Sequence, residues 1–521
     1  MSEAEPLRMT PAWHAARAPD APAIVMAATG ETVTYADLED RSRRLAQALR
    51  ERGIGAADGI ALLLENQHAF LEVAWAAQRS ELHYTAINSH LRPQEVQYVL
   101  DDCGARALVS SPAMADLVAG LDLSRIPVRV SAPGGLAGFE RYDDVLAGAE
   151  PEPTEREREG REMLYSSGTT GRPKGVRKAL PGTRFGDPSS APVQIAQGIA
   201  MFGGGPGSVY LCPAPLYHAA PLVYSMSMHR LGATVVVMER FDPRQCLELI
   251  ERYRVTHAQF VPTMFVRMLK LPEAERRRYD LSSLRVVVHA AAPCPIEIKR
   301  EMLDWWGPIL HEYYSGTEDI GTTFITPEEW LAHPGSVGRP RTDECHIVGE
   351  NGEELPVGQT GVVYFAGGRP FAYHNDPEKT ASIANAKGWR TLGDIGHLDE
   401  DGYLYLTDRN AHMIISGGVN IYPQETENVL AGHPAVADVA VIGVPDAEMG
   451  EAVKAVIEPV DPAAATQELA AEILAWCRAR IATYKCPRSV DFVDALPRDP
   501  NGKLYKRRLR EQYWQGHERV I

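Results

Sequence analysis

Hydrophobic residues in the first hundred positions alternate between a helical spacing and short continuous runs. Thr34 can cap a helix, and Asp37 follows it by three residues. Leu38, Leu45 and Leu49 then share one helical face. A glycine at position 53 ends this spacing, as glycine does after many helices. The pattern predicts an amphipathic helix that begins near Thr34 and ends before residue 53.

Short apolar runs separate this helix from further helical stretches. Residues 59–64 (GIALLL) form a run whose length suits a buried strand. The chain then continues as helix (AFLEVAWAAQ), strand (HYTAIN), helix (RPQEVQYVLDD) and strand (ARALVSS). Further strand signals occur at 209–217, 233–238, 255–261 and 284–291. Alternation of this kind predicts parallel sheets that are covered by helices.

Two stretches lack this periodicity and are predicted to be surface linkers. Residues 151–162 (PEPTEREREGRE) are charged and show no apolar spacing. Residues 181–208 are rich in glycine, proline and serine.

The last third of the chain predicts two further regions. From about 335 to 408, short β-like runs are separated by Gly, Asn and Asp, which indicates a small antiparallel region. After 411 a fresh set of strand and helix signals is long enough for a separate α+β domain. We therefore predict an α/β fold with an N-terminal domain at 1–409 and a C-terminal domain at 410–521. The N-terminal domain holds helix-covered, mainly parallel sheets and a small β-barrel-like region.

Composition narrows the class of protein. The 521 residues are 45% hydrophobic and 23% charged, as in ordinary globular proteins, and a net charge of −16 argues against nucleic acid as a partner. No apolar run approaches the length of a membrane span, so no integral membrane segment is expected. The N-terminus lacks the basic start and apolar stretch of a signal peptide, and the seven cysteines form no C-x-x-C pair. We expect a cytoplasmic protein with reduced thiols and no zinc site.

The most informative stretch is LYSSGTTGRPKG at 164–175. Hydroxyl side chains alternate here with glycines around Arg172 and Lys174. Small residues let backbone N–H groups turn towards an anion, hydroxyls add donors, and the cations balance charge, which suits a polyphosphate. The lysine lies three residues after Gly171 and is followed by Gly175, so the spacing differs from the P-loop G-x-x-x-x-G-K-[ST].

Four further clusters are polar or rich in glycine. Each has a plain structural interpretation: a capped turn for HEYYSGTEDIG (311–321), a turn aspartate for WRTLGD (389–394), a tight bend for ISGGVNIYP (415–423) and a solvated basic tail for PRDPNGKLYKRR. Each also has a functional interpretation. A carboxylate at 318 or 319 could hold Mg²⁺ near phosphates, and one at 394 could accept ribose hydroxyls.

The order and content of these clusters favour the functional interpretation. Together they resemble the adenylate-forming superfamily, which includes acyl-CoA synthetases, adenylation domains of peptide synthetases and luciferases. The resemblance extends from TYADLEDRSRRLAQAL to GKLYKRRLR and is most specific in the 164–175 loop and the terminal NGK motif. It implies ATP, Mg²⁺ and coenzyme A as cofactors. It also implies that the C-terminal domain is a mobile lid, which rotates between adenylation and thioester formation.

The resemblance also implies a role for each matching residue. Those that bind the nucleotide are Ser167, Thr169, Thr170 and Lys174 on the β- and γ-phosphates, Ala291, Ala292, Pro293 and Tyr314 around adenine, Thr317 on the α-phosphate, Glu318 on Mg²⁺, Asp394 on the ribose hydroxyls, and Arg409 on ribose or phosphate. Lys503 would bridge the incoming carboxylate and the α-phosphate. His218, in PLYHAAP, would be the gate between the acyl and pantetheine tunnels, with a satisfied core histidine as the alternative. Gly417 and Gly418 would form the pantetheine channel.

Two positions depart from the family pattern. Ala411 stands where the family hinge usually carries Asp or Lys, so the hinge lacks that charge. Gly316 replaces the Met, Leu or Ala that commonly precedes Thr-Glu. The missing side chain would widen the acyl pocket and favour a bulky acid, unless a neighbour such as Met226 or Phe324 fills the space.

The leading functional hypothesis is an AMP-forming acyl-CoA synthetase of the fatty-acyl-CoA ligase type. Its substrate would be a hydrophobic carboxylic acid: a fatty acid, a terpenoid or steroid side-chain acid, or an aryl acid. Between Asp187 and Asp242 only Glu239 is acidic, which argues against activation of an amino acid, because its ammonium group usually needs a buried carboxylate there.

Three questions stay open at this stage. The adenylate could be transferred to the phosphopantetheine of a separate carrier protein instead of to CoA. The chain could also be a nucleotide-binding homologue that has lost catalysis, against which the intact Glu318, Asp394 and Lys503 argue. The oligomeric state is open, and a homodimer is one arrangement that the sequence permits.

Overall fold

The computed structural model describes residues 9–151, 153–166, 173–341, 343–409, 412–416, 419–446, 449–498 and 504–515. The chain divides into two compact units. Unit 1 comprises Met1–Gln259, Glu273–Val287 and Pro370–Thr380. Unit 2 comprises Phe260–Pro272, Val288–Arg369 and Ala381–Ile521.

The described strands follow one another in short segments. In chain order they are β1 (Pro22–Met26), β2 (Thr32–Thr34), β3 (Gly59–Leu63), β4 (His83–Ala86), β5 (Ala105–Ser110), β6 (Val128–Ser131), β7 (Glu140–Arg141), β8 (Arg161–Ser166), β9 (Lys174–Arg177), β10 (Val209–Cys212), β11 (Thr234–Val237), β12 (His257–Phe260), β13 (Val286–His289), β14 (Leu310–Tyr314), β15 (Thr323–Ile325), β16 (Arg339–Pro340), β17 (Glu344–Val348), β18 (Gly361–Ala366), β19 (Ala372–Tyr373), β20 (Asp394–Leu398), β21 (Leu404–Arg409), β22 (Ile414–Ser416), β23 (Val419–Ile421), β24 (Val436–Asp446), β25 (Gly450–Pro459) and β26 (Ser489–Phe492).

The described α-helices lie mostly between these strands. In chain order they are α1 (Pro11–Ala15), α2 (Tyr35–Glu51), α3 (His68–Arg79), α4 (Pro93–Cys103), α5 (Ala115–Ala119), α6 (Tyr142–Ala147), α7 (Ala191–Ala200), α8 (Ala219–Arg230), α9 (Pro243–Tyr253), α10 (Pro262–Leu269), α11 (Glu273–Arg276), α12 (Ile296–Trp306), α13 (Pro327–Ala332), α14 (Pro377–Ser382), α15 (Pro423–Ala431), α16 (Gln467–Arg478) and α17 (Lys506–Tyr513).

The predicted first helix is confirmed as α2. The Thr34 side chain accepts from the Asp37 N–H, and the Asp37 carboxylate accepts from the Thr34 N–H, so two otherwise unpaired donors at the helix start are satisfied. Leu38, Leu45 and Leu49 are all buried, as their shared face predicts.

Unit 1 contains two sheets with parallel strands at their centres. One is an eight-stranded sheet with the order β19-β9-β8-β4-β3-β5-β6-β7, with parallel pairing from β8 to β7 and antiparallel pairing of β9 with both of its neighbours. In the other, β11 pairs in parallel with both β1 and β10, β10 pairs in parallel with β12, and β2 is an antiparallel edge. The parallel sheets that the helix–strand alternation predicts are therefore present.

Unit 2 contains mainly antiparallel sheets. Strands β17, β18, β20 and β21 form a four-stranded antiparallel sheet within the region predicted at 335–408. The long antiparallel pair β24 and β25 lies beside β22 and β23, and β26 pairs in parallel with β25. Helices α15 and α16 cover this last sheet with a core that includes Leu430, Val441 and Ile473. The boundary at 409/410 between two domains stays a prediction.

The predicted surface linker at 151–162 is wrong for most of its described residues. Glu157, Glu159, Arg161 and Glu162 are all buried, and Glu159 has no exposed surface. The prediction followed from the run of charges, because such runs are usually solvated. In unit 1, however, each of these four charged side chains has an ionic partner, which permits its burial.

The second predicted linker, at 181–208, is also wrong in part. Helix α7 lies inside it and begins after Ser190, with a proline in its first turn. Val193 and Ala196 of this helix are buried, so the segment contributes to the core of unit 1 in spite of its glycines.

No helix in the described parts of the chain is both long enough and apolar enough to span a membrane.

A buried histidine makes the stability of unit 1 depend on pH. The Trp75 indole N–H can only donate, so it donates to Nδ1 of His229 at 3.1 Å, and the protonated Nε2 donates to the Ala23 carbonyl at 3.0 Å. The neutral imidazole of His229 therefore uses both of its ring nitrogens in hydrogen bonds. Burial lowers the pKa of His229 to about 4.

We predict that unit 1 loses stability as the pH falls from 6.5 towards 4. An unfolded histidine takes up a proton over this range while the folded His229 does not, so the free energy of unfolding decreases, by roughly 3 kcal/mol at pH 4. Urea unfolding between pH 7.5 and 4.5 measures this slope. His229→Gln should remove its share of this slope, whereas the share of His83, whose pKa burial also lowers to about 4, remains. His90→Gln, at an exposed position, should leave the slope unchanged. Equal slopes in His229→Gln and the unaltered protein would contradict the assignment.

Candidate active site

Two predicted nucleotide-binding residues are hydrogen-bonded to each other in unit 2. Tyr314 is the last residue of β14 and Asp394 is the first residue of β20. The Tyr314 hydroxyl donates to Oδ2 of Asp394 at 2.5 Å. Asp394 is 6% exposed, so the Tyr314 hydroxyl strongly influences how the Asp394 carboxylate is oriented. Pairing of β20 with β21 places Arg409 directly opposite Asp394.

The turn after β14 carries the next two predicted residues, Thr317 and Glu318. Ser315 Oγ donates to the Gly321 carbonyl at 3.0 Å, which links the two ends of the turn. The Asp319 N–H donates to the Gly316 carbonyl at 3.0 Å. Within this braced turn Glu318 is only 7% exposed. These two hydrogen bonds hold the turn in place, and with it the buried Glu318 carboxylate, four residues after Tyr314.

The space beside Gly316 is occupied by Leu392. A Cβ atom at Gly316 would lie 2.7 Å from Cδ1 of Leu392 and 3.0 Å from Oε2 of Glu318. A side chain at this position would therefore require Leu392 to move, and a neighbour fills the space, which is the alternative to a widened pocket. The neighbour is Leu392, however, and not Met226 or Phe324.

A buried ionic pair supports the strand that carries Tyr314. Lys299 Nζ, on α12, lies 2.6 Å from Oε2 of Glu312, on β14. Nε2 of His289 lies 3.4 Å from the same oxygen. Burial raises the pKa of Glu312, although the Lys299 ammonium opposes the shift, and burial lowers the pKa of His289 well below its ordinary value.

This cluster also relates the predicted adenine-binding segment to Tyr314. His289 and Glu312 approach each other, and each lies two residues before a predicted adenine contact, Ala291 and Tyr314 respectively. Ala291 has a φ of 74°, in the left-handed region that alanine rarely adopts. Backbone held in such a conformation is typical of ligand-binding segments. Ala292 is partly buried and Pro293 is exposed, so both are accessible at the end of β13.

Unit 1 holds the described end of the predicted phosphate loop. Lys174 is the first residue of β9, and its Nζ lies 5.5 Å from the centroid of the Tyr373 ring. A Cβ atom on Gly175 would lie 2.7 Å from Cε of Met163 and 2.9 Å from Cζ of Tyr165, so only glycine fits beside β8. Ser167, Thr169 and Thr170 lie outside the described residues.

The predicted gate residue His218 lies at the N-cap of α8 in unit 1. It is partly buried, and its ring centroid lies 4.6 Å from that of Tyr217. The carbonyl of His218 accepts from the Leu222 N–H at 3.2 Å, so the backbone of His218 belongs to the first turn of α8. The role of His218 as a gate stays a prediction.

The remaining predicted residues are not among those that the structure describes. Lys503, Gly417, Gly418 and Ala411 lie outside the described residues, and their roles stay predictions. Three described residues that support the site were not predicted from the sequence: Leu392, Lys299 and Glu312. A charge between apolar and aromatic residues is the signal that could have found Glu312, in ILHEYY, whereas IEIKREML carries four charged residues and does not single out Lys299.

Comparison with known proteins gives two family models that match successive parts of the chain. A family model described as AMP-binding enzyme matches residues 11–371, and one described as AMP-binding enzyme C-terminal domain matches residues 425–503. The feruloyl-CoA synthase of an Amycolatopsis species is 35% identical over 488 residues, which cover 93% of this chain and 94% of that protein. The fatty acid–[acyl-carrier-protein] ligase ScoC of Streptomyces coeruleorubidus is 30% identical over 522 residues, 99% of this chain and 98% of that protein.

A solved structure gives the same picture of the fold. ATP-bound MatB from Rhodopseudomonas palustris matches with a TM-score of 0.81 at 28% identity, and the match covers 96% of this chain and 97% of that one. The α/β fold with a large N-terminal and a smaller C-terminal domain is thereby confirmed.

We predict that Lys299→Met destabilises unit 2 by about 3–5 kcal/mol, because it leaves the Glu312 carboxylate buried without its cation. The melting temperature and the KM for ATP both report this change, the second because Tyr314 lies two residues from Glu312. Lys299→Met combined with Glu312→Gln should recover most of the stability. Arg300→Met, at the exposed neighbouring position on α12, is the control and should change stability by less than about 0.5 kcal/mol. A Lys299→Met protein as stable as this control would contradict the prediction.

Proposed function

The chain belongs to the AMP-binding enzyme family of adenylate-forming acid–thiol ligases, and on this basis we propose that it is an AMP-forming acyl-CoA synthetase. ATP and a hydrophobic carboxylic acid would give acyl-AMP and pyrophosphate, after which CoA would take the acyl group and release AMP. The observation that carries the proposal is the hydrogen bond from Tyr314 to Asp394, beside the turn that bears Glu318. Within unit 2, the Tyr314 ring would stack on the base, Asp394 would accept from the ribose hydroxyls, and Glu318 would bind a cation.

The nucleotide would be bound mainly by residues of unit 2. We propose that Ala291, Ala292 and Pro293 line the adenine and that the Tyr314 ring stacks on its face. The Tyr314 hydroxyl orients the carboxylate of Asp394, which would then accept from the ribose hydroxyls. Arg409 is paired opposite Asp394 and would contact ribose or phosphate.

Glu318 suits a magnesium ion that substrate phosphates help to hold. Mg²⁺ is usually bound through one or two carboxylates together with phosphate oxygens and waters. Glu318 is buried, and the described parts of the chain contain no group of three or more His, Cys, Asp or Glu side chains that could enclose a metal ion. A lone buried carboxylate fits this type of site. When bound, the ion would neutralise part of the phosphate charge during adenylation.

The first half-reaction needs charge stabilisation more than proton transfer. The acid is already ionised at pH 7, so it can attack the α-phosphate without a general base. Thr317 and Lys503 would stabilise charge at the α-phosphate and on the attacking oxygen. The residues that would hold the departing pyrophosphate are Ser167, Thr169, Thr170 and Lys174.

The second half-reaction would use a different set of residues. We propose that the C-terminal domain rotates, so that Gly417 and Gly418 replace Lys503 and line a channel for pantetheine. His218 would control passage between this channel and the acyl site. Ala411 at the hinge carries no charge, and rotation there would rely on backbone dihedrals alone.

The acid is proposed to be hydrophobic. The buried side chains of α8, directly after His218, include Leu222, Tyr224, Met226 and Met228. The buried carboxylates of unit 1 do not offer a site for an ammonium group, because Glu159 and Glu162 each have cationic partners at 2.9–3.3 Å. A fatty, terpenoid, steroid or aryl acid fits these observations better than an amino acid.

One other acceptor has a specific observation in its favour. The relative ScoC is named as a ligase for an acyl carrier protein and aligns with nearly the whole chain. Transfer to a carrier-protein phosphopantetheine is therefore the second candidate function. A homodimer and a cytoplasmic location stay predictions.

A ligase assay distinguishes these functions. The purified protein is given ATP, Mg²⁺ and a panel of fatty, aryl and polycyclic acids, with free CoA and a phosphopantetheinylated carrier protein as competing acceptors. We expect acyl-CoA, AMP and pyrophosphate in equal amounts. Acyl transfer to the carrier protein alone would establish the second candidate. Absence of ATP–pyrophosphate exchange with every acid would instead indicate a homologue without catalysis.

The two half-reactions should respond differently to one substitution. Lys503→Ala is expected to slow adenylation by about 10² or more, because a preorganised cation at the developing charge contributes several kcal/mol. The same variant should still form acyl-CoA from preformed acyl-AMP. Rapid-quench measurements of each half-reaction give the comparison. Lys506→Ala is not a suitable control because Lys506 is buried against Glu427, whereas Arg508→Ala changes a more exposed charge nearby. Equal losses in both half-reactions would contradict the role of Lys503.

A further inference from the structure

A short segment of unit 2 packs directly against the turn that carries Glu318. This support segment comprises residues 365–369 and begins at the end of β18. A Cβ atom at Gly368 would overlap the main-chain carbonyl of Ile320, so only glycine permits this approach. The support segment and the turn after β14 are therefore in contact through their main chains, with no side chain between them.

The residue after Glu318 adopts a backbone conformation that its surroundings must hold. Asp319 has a φ of 54°, in the left-handed region that residues with a side chain seldom adopt. The Arg369 N–H, in the support segment, donates to the Asp319 carbonyl at 3.2 Å, and Nη1 of Arg369 lies 3.6 Å from Oδ2 of Asp319. Because the φ angle of Asp319 sets the direction of the chain beside Glu318, these contacts also influence where the Glu318 carboxylate lies.

The support segment is held in turn by the side chain of Arg390, which lies four residues before Asp394 in the chain. Its Nη1 donates to the Arg369 carbonyl and its Nη2 donates to the Gly368 carbonyl, each at 3.0 Å. The guanidinium group is planar and rigid, so two donors on successive carbonyls fix both the position and the orientation of the peptide between them. Arg390 therefore immobilises the part of the support segment that contacts the turn.

The main chain of Arg390 has a separate function. Its N–H donates to the Phe365 carbonyl at 2.9 Å, and its carbonyl accepts from the Phe365 N–H at 2.8 Å. Phe365 is 2% exposed, and its ring centroid lies 6.1 Å from that of Tyr314. A substitution of the Arg390 side chain leaves this main-chain pair available. The support of the Tyr314 ring is thus separable from the support of the turn that carries Glu318.

We propose that Arg390 is a positioning residue for the magnesium ion that Glu318 would bind. Through residues 368–369 it holds Asp319 in its left-handed conformation, and so it keeps the neighbouring carboxylate where the ion binds. The proposal rests on the proposed function, because it takes Glu318 to bind Mg²⁺ together with the phosphates of ATP. One segment, 390–394, would then serve both the ion and the ribose.

Calorimetric titrations with ATP and AMP test the proposal without turnover. The Kd for ATP is measured in EDTA and in excess Mg²⁺, and the ratio of the two values gives the gain in affinity from the ion. We expect a gain of about tenfold or more in the unaltered protein and the loss of most of it in Arg390→Met, because residues that orient a metal ligand contribute to metal affinity on this scale. The Kd for AMP should not change. No gain in the unaltered protein, an undiminished gain in Arg390→Met, or an equal weakening of AMP binding would overturn the proposal.

Two further variants separate positioning from charge and from folding. Arg390→Lys keeps the charge, but its ammonium group lacks the planar pair of donors that contacts both carbonyls, so the gain should fall to an intermediate value. This variant decides the question if Arg390→Met does not fold. A full gain in Arg390→Lys would overturn the role of the two-donor contact. Arg300→Met removes an exposed guanidinium group of α12 in the same unit and should keep the full gain.

Substitutions of Asp319 test the link between the support segment and the ion by a second route. Asparagine tolerates a positive φ, whereas a β-branched side chain does not. Asp319→Asn should therefore keep most of the gain in ATP affinity from Mg²⁺, and Asp319→Val should lose it. If Asp319→Asn loses as much as Asp319→Val, the carboxylate of Asp319 is itself the required group, and the proposed route through the conformation of the turn is overturned.

These titrations also distinguish a failure of this proposal from a failure of the proposed function. A protein that binds ATP more tightly with Mg²⁺ but supports ATP–pyrophosphate exchange with no acid would lack the proposed activity. Loss of the gain in Arg390→Met would still establish the positioning role in that case. Normal exchange in the unaltered enzyme, together with the same gain in Arg390→Met, would leave the proposed function intact and overturn the role of Arg390.

Discussion

A charge that is removed from water must be paired, and the packing of unit 1 depends on this constraint. Arg79 has no exposed side-chain surface and is bound between Glu39 of α2 and Glu157 of the charged run. Arg230, at the end of α8, is bound to Glu159 of the same run. The charged run thus connects α3, which carries Arg79, and α8 to the eight-stranded sheet. Removal of a single partner would leave an uncompensated charge in the core, so these elements are bound to one arrangement.

The same constraint shapes the nucleotide-binding residues of unit 2. Lys299 and Glu312 join α12 to β14, and β14 ends at Tyr314. The Tyr314 hydroxyl then orients Asp394 on another strand. The residues proposed to bind the base and the ribose are therefore positioned by buried polar pairs and not by loops alone. Such support is what precise binding of a nucleotide requires.

Binding of ATP and selection of the acid would depend on different parts of the molecule. The phosphate loop and the Tyr314–Asp394 pair serve the part of the reaction that is common to the family, and they say little about the acid. Selection would lie beside α8, which begins after His218 and buries Leu222 and Met226. The buried charged run is a structural support of unit 1, because each of its buried charges has an ionic partner.

The sequence alone determined the α/β class, the helix that Thr34 begins, the antiparallel region before residue 409 and the family, because these depend on local spacing and on motifs whose residue types are required by the chemistry. It identified Tyr314, Glu318 and Asp394 as nucleotide-binding candidates, but it could not show that two of them are hydrogen-bonded. Only the tertiary structure decided that Glu157, Glu159, Arg161 and Glu162 are buried and that Leu392 fills the space beside Gly316. The physical reason is that a charge is buried or solvated according to its partners, and those partners are distant in the chain.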